Sequence, residues 1–387
     1  MLEKILQGDR RYWMWVAFLL AVIGVGFACY VYQCFTGLGI TGMNRDVSWG
    51  LYIAQFTLLV GIAASGLMVV IPKLLHHYKK FIDLVMFGEF MAISAVIMCL
   101  LFVIVDVGQP MRLFNMVLHP TPHSMLFYDM IVLNGYLLIN IIVGYNTMLA
   151  DWKGVPPPRW IIPVAYLGVP WAVAIHTVTA FLYCGLPGRH LWLSALMAPR
   201  FLAGAFCSGP ALLLLILFIV ERVTGYRPAD EDAYQTLAKI ILYAAVINMF
   251  FTFCEFFTAF YSNIPAEKHG LLYMFFGLEG YHRLVPFMRT SILAGFLGIF
   301  ILLVPPFRRN RVLLGIACFA IFLWMWLEKG FGLVIGGFVP DPFGKITQYS
   351  PTLPECGIAI GIWAIGALIL TFLFKMAIYA KRDGQRM

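Results

Sequence analysis

Roughly ten apolar runs, each long enough to cross a bilayer as a helix of about 20 residues, fill most of this chain. They lie at Tyr12–Phe35, Ser48–Ile71, Phe81–Val105, Met125–Leu149 and Ile161–Cys184 in the first half. Pro199–Val220, Tyr234–Phe260, Val285–Val304, Val312–Ile335 and Cys356–Ala380 follow in the second. Glu328 and Lys329 interrupt the ninth run near its outer end. Only 12% of residues are charged, about half the share of a soluble domain. The chain reads as all-α and polytopic, a single integral membrane domain over 1–387. The expected layout is two four-helix bundles, 12–149 and 161–304, with two additional spans in 312–380. The loops are too short for a soluble domain, so any catalytic domain belongs to another subunit.

The formal charge of +8 does not point to nucleic acid, because the Lys and Arg residues sit at the ends of apolar runs. One side collects Lys4, Arg10, Arg11, Lys73, Arg308, Arg309, Arg386 and others, about sixteen against about nine on the opposite side, which makes it cytoplasmic. Both termini are then cytoplasmic and the protein is a multi-pass protein of the cell membrane. The first run is longer than a signal-peptide core and reads as a retained span. None of the 8 cysteines forms a C-x-x-C pair, and most fall inside runs as small packing residues. Of the 8 histidines only His176 is deep in a run, so a bis-histidine haem is disfavoured.

An ionisable side chain in hydrocarbon costs about 3 kcal/mol or more and marks a path for protons, ions or substrate. Glu89, His176, Lys239 and Glu255 lie within runs, and Asp129 stands at the mouth of one. His176, Thr179 and Tyr183 share a helix face, as do Asn248, Thr252 and Glu255. Each set could wet a polar path or simply bond neighbouring helices. Glu255 needs a partner, such as His176 or Arg283, or a raised pKa. Glu89, His176, Lys239 and Glu255 form the expected proton path. Gly61-x-x-x-Ser65 and Gly204-x-x-x-Ser208 read as helix-packing seams. Gly88-Glu89-Phe90 is faintly echoed by Cys254-Glu255-Phe256, a hint of parallel repeats. After the third run, Gly108 and Pro110 force a turn across which Asp106 and Arg112 could pair.

Several segments stand in a definite order. They are Asp46–Tyr52, Gly61–Gly66, Asp106–Arg112, His119–Ser124 with Tyr128-Asp129, Ala174–Thr179, Arg189–Trp192 and Ala198–Phe201. That order resembles the NrfD/PsrC (polysulfide reductase membrane subunit) family over the first eight spans. The ten-span length is most similar to its larger branch, the membrane subunits of Hme and Dsr-type complexes of sulfate-respiring organisms. The resemblance implies a subunit without haem or iron–sulfur cluster that binds menaquinone near the extracytoplasmic face. It implies electron exchange with a docked ferredoxin-like iron–sulfur subunit, alongside a multihaem cytochrome c and a second membrane subunit. The implied quinone pocket is Trp49, Asp106, Arg112, His119, His123, Tyr128 and Asp129. Gln109 stands where relatives commonly carry Arg, so one positive charge is missing. The function expected is therefore a menaquinone-linked subunit of a respiratory oxidoreductase, with possible proton translocation. A secondary transporter and a passive anchor are the alternatives.

Overall fold

The computed structural model describes residue 3 and residues 6–63, 65–66, 69–70 and 79–384. Lys4, Ile71, Lys73 and Arg386 lie outside the described residues. Among the described residues nine helices are long and apolar enough to cross a bilayer. These are α1 (Arg10–Thr36), α3 (Ile82–Asp106), α4 (Met125–Lys153), α5 (Ile161–Cys184) and α6 (Met197–Thr224), then α7 (Glu231–Ser262), α8 (Val285–Leu303), α9 (Arg311–Phe338) and α10 (Leu353–Gly384). The remaining apolar helix, α2 (Leu51–Ala63), is buried at every position, and helical backbone recurs at 65–66 and 69–70. The chain is an all-α integral membrane protein.

Helix ends follow local chemistry. Asp9 caps α1 by accepting from the Tyr12 amide, and Asp230 caps α7 by accepting from Ala233. Gly154 and Gly225 end α4 and α6 in left-handed conformation, which glycine adopts without a Cβ clash. The start of α2 is capped from far away. Glu355, fully buried at the head of α10, accepts from the Leu51 amide at 3.1 Å and the Gly42 amide at 3.0 Å. A carboxylate there also meets the positive end of the α2 dipole.

Lys375 near the end of α10 donates to the Gln7 carbonyl, so both termini emerge at one end of the bundle. We call that the inner end. There Lys381 of α10 is buried between Asp83 (2.6 Å) and Asp151 (3.0 Å). Arg311 bonds Glu221 and Glu231, both at 3.0 Å.

The last helix does not stand apart. α10 packs on α1, α3 and α4, and α9 packs on α8, α6 and α2. α1 touches the rest chiefly through α10, where a Cβ on Gly26 would meet Gly361 Cα at 2.7 Å. Its Trp13, Phe18, Phe27 and Phe35 face outward. The two small-residue motifs are packing faces, as their spacing predicts, and the structure sets them against each other. A Cβ on Gly61 would lie 3.1 Å from Ser208 Oγ, and one on Gly209 would lie 2.9 Å from the Ser65 amide nitrogen. Backbone contact this close replaces side-chain packing between α2 and α6.

Glu328 and Lys329 do not break the ninth span. Residues Trp326–Gly332 form a π-helical segment within α9, and both charges are buried. A π-bulge shifts the helix face by one residue and recurs at functional positions. Gln55 of α2 holds this segment from the other side. Its carbonyl accepts from Trp326 Nε1 at 3.1 Å and from Trp363 Nε1 of α10 at 3.0 Å.

Candidate functional site

Two polar regions lie toward the outer end. The first is organised around α4 and α5. Asp129, one turn into α4, is 2% exposed and accepts from Thr179 Oγ1 of α5 at 2.7 Å. One turn further along α5, Tyr183 shares a hydrogen bond with Thr57 of α2. The face predicted for His176, Thr179 and Tyr183 is present, and all three are buried. Tyr183 packs edge-on against Trp49 at 5.5 Å and Trp192 at 5.1 Å, and Trp49 stacks on Trp192 at 5.6 Å. Phe338, at the outer end of α9, closes the cluster against both indoles. Arg189 lies 4.6 Å over the Phe338 ring and donates to its carbonyl at 3.0 Å. Burial lowers the guanidinium's grip on its proton, while Asp341 and Asp46 oppose that shift.

The residues named from the sequence divide. Asp129 and Trp49 are drawn to one place through Tyr183. Asp106 ends α3, and its Oδ1 is buried without a hydrogen bond among the described residues. Arg112 is exposed in the turn Pro110–Phe114 and forms no ion pair with Asp106 among the described residues. The turn closes through its own backbone, with the Arg112 amide on Gln109 O at 2.9 Å. His119, His123 and Tyr128 are exposed, the two histidines on the segment that leads into α4 and Tyr128 next in sequence to the buried Asp129.

The expected proton-path residues also divide. Glu89 is buried and lines a cavity of about 20 Å³ with Tyr136, Asn140 and Gly66, between the inner half of α3 and the middle of α4. His176 Nδ1 sits 2.6 Å from Ala172 O, and its Nε2 is buried with no hydrogen bond among the described residues. Lys239 is exposed, so it leaves the proposed interior path. Its position near the inner start of α7 puts it on the outward face, where a flexible cation can reach the headgroups. Glu255 is paired with neither His176 nor Arg283. Arg200, at the start of α6, holds it. Glu89 lies near the inner end of α3 and Glu255 near the outer end of α7, so the short sequence echo places them at different depths.

Arg200 opens the second polar region. It bonds Glu255 of α7 through Nη1 and Glu328 of α9 through Nη2 and Nε. Glu328 also accepts from Trp324 Nε1 and from Thr252 Oγ1 at 3.3 Å. Lys329 points the other way, donating to Phe201 O at 2.8 Å and lying 5.0 Å from the Phe201 ring. Phe201 in turn contacts Tyr183 at 5.8 Å, so aromatic rings join the two regions. The polar faces of α5 and α7 were legible, but Arg200, Glu328 and Lys329 were not read as site residues. The signal available was two adjacent charges inside an apolar run.

Residues 39–340 match the family model described as polysulphide reductase, NrfD. The chain belongs to the NrfD polysulphide reductase family. The match takes in α2 to α9 and omits α1 and α10, so the ninth span lies inside the family region, contrary to the eight-span estimate from sequence. The two helices outside it are the pair that pack on each other. Among similar proteins is a Halobacterium salinarum chain that carries a provisional name as the membrane subunit of a dimethyl sulfoxide reductase. It is 27% identical over 93% of this chain and 89% of its own length. The Hdr-like menaquinol oxidoreductase integral membrane subunit of Archaeoglobus fulgidus is 27% identical over 70% of this chain and 66% of its own. The menaquinone reductase integral membrane subunit of Nitratidesulfovibrio vulgaris is 23% identical over 94% of this chain and 91% of its own. Family membership and helix content agree with an NrfD-type membrane subunit.

Proposed function

We propose that this NrfD-family chain is the quinone-handling membrane subunit of a respiratory oxidoreductase. It exchanges electrons between menaquinone and an iron–sulfur subunit docked on its outer loops. The observation that carries the reading is Asp129, a carboxylate sealed from solvent at the outer end of α4, bonded by Thr179 and next in sequence to the exposed Tyr128. Quinone reduction takes up two electrons and two protons, so its site needs hydrogen-bond donors and a proton carrier beside an apolar slot. Tyr128, His119 and His123 supply the rim, Trp49 and Tyr183 the aromatic wall, and Asp129 the proton carrier. The names of the Archaeoglobus and Nitratidesulfovibrio relatives, a menaquinol oxidoreductase and a menaquinone reductase subunit, support the choice of quinone.

In this reading the outer end faces away from the cytoplasm, and both termini lie in the cytoplasm of a cell-membrane protein. Glu89 and His176 are the interior groups best placed to move protons between Asp129 and the inner end. The catalytic and cytochrome partners are separate chains, and a link to sulfate respiration follows from the sequence resemblance alone. The test is Asp129→Asn in the assembled complex. Quinol-dependent reduction of the partner cluster should stop while the partner still co-purifies. Wild-type turnover in that variant would refute the assignment.

A further inference from the structure

The cavity around Arg200 is a second polar site, apart from the aromatic edge. It measures about 20 Å³, and its polar wall is Arg200, Thr252, Glu255 and Glu328. That volume admits about one water molecule. The charged groups facing Glu255 are Arg200 from α6 and Glu328 from α9, with Lys329 turned behind them toward Phe201. The short outer helix Pro265–Phe275 and α8 contribute only apolar wall: Leu271, Met274, Phe275 and Met288.

The two carboxylates are not equivalent. Glu328 is satisfied as an anion by Arg200, Trp324 and Thr252. Among the described residues Glu255 has Arg200 on Oε2 alone, and its Oε1 is buried without a partner. Two helical turns nearer the inner end, Asn248 is fully buried with neither amide atom bonded among the described residues. A buried unbonded amide calls for ordered water. Beyond it the buried face of α7 is apolar through Ala245, Ile241, Ala238 and Leu237, up to Tyr234 near the inner start.

We infer that this cavity is a proton-holding site that exchanges with water at the outer end. A hydronium gives its proton to Glu255 Oε1, an O–H bond forms there, and a water is left. Arg200 then serves Glu328 alone. The reverse step returns the proton to water. The purpose of the site, holding protons released by quinol oxidation, rests on the proposed function; its existence does not.

Infrared difference spectra of the full-length protein in lipid vesicles, taken across a pH step without quinone, read protonated carboxyl groups directly. Glu255→Gln should remove one carboxylic-acid band, and Glu255→Asp should keep it at a shifted position. Asn248→Leu, which lies inward of Glu255 and leaves the ion pairs intact, should keep both the band and the rate of its hydrogen–deuterium exchange, because water arrives from the outer end. No such band in the wild type, an unchanged band in Glu255→Gln, or an exchange slowed several-fold in Asn248→Leu would each overturn the inference. If Asp129→Asn turns over normally while the Glu255 band behaves as stated, the quinone reading fails and this site stands.

Discussion

The aromatic edge at Asp129 and the ion cluster at Arg200 occupy the same outer half of the bundle and are built on opposite principles. At the edge, one buried carboxylate has one side-chain donor among the described residues, Thr179, and His119, His123 and Tyr128, close to it in sequence, are exposed. In the cluster, one guanidinium ties three helices and Glu328 takes donors from all three. The open arrangement suits a guest that enters and leaves with its own hydrogen bonds. The closed one suits a guest no larger than water. The contrast teaches that burial of a charge alone does not identify a substrate site.

The sharpest way to break the comparison is Asp129→Ala. Loss of a proton-handling group should cut quinol-dependent electron delivery by about 100-fold or more, with complex assembly unchanged on a sizing column. The cluster should respond in stability. Glu328→Ala leaves Arg200, Trp324 and Thr252 short of an acceptor, and breaking a buried pair costs about 3–5 kcal/mol. Thermal melting in detergent reads this, and Glu328→Ala combined with Arg200→Met should lose less than the two single changes added. If the double change is simply additive, the ion pair is not the stabilising unit.

A smaller effect is expected at the α1–α10 crossing, outside both regions. Gly361→Val would press a side chain on Gly26 across the α1–α10 crossing, and overpacking of this kind costs about 1–3 kcal/mol. Protease sensitivity of α1 should rise while quinol turnover stays near wild type. The smallest effect belongs to the outer loop. The Lys345 ammonium, with the Thr347 hydroxyl, holds the Asp46 carboxyl below its ordinary range, and Asp46 raises Lys345 in turn. The contact is complete at neutral pH. It is lost as pH falls through the lowered Asp46 value, and again as pH rises through the raised Lys345 value. Limited proteolysis of the 339–350 loop across pH should show protection in the middle and cleavage at both extremes. In Lys345→Ala the protection should be weaker throughout.

Most helices and the packing faces of α2 and α6 were legible because each depends on residues close in sequence; that the two faces meet each other was not. Gly61/Ser65 and Ser208/Gly209 carry their packing role in their spacing. The shared face of His176, Thr179 and Tyr183 was legible for the same reason. Arg200, Glu255 and Glu328 were not assembled in advance, since they come from α6, α7 and α9 and no spacing rule links them. Glu328-Lys329 looked like a break because an ideal helix would turn one of two adjacent charges outward, whereas the π-segment buries both. Lys239 was misplaced because an apolar run does not say which face of its helix meets lipid. Asp106 and Arg112 sat close enough in sequence to suggest a pair, but the turn closes through its backbone and leaves Arg112 outside.

The central claim is that a quinone headgroup meets Asp129 at the outer edge. Photo-crosslinking with an azido-naphthoquinone, followed by peptide mapping of the intact complex, tests it most directly. The account predicts label on the peptide that carries Tyr128 and Asp129, lost in Asp129→Asn and competed by menaquinone. Label confined to the α6–α7–α9 cluster, with none on α4, would contradict it.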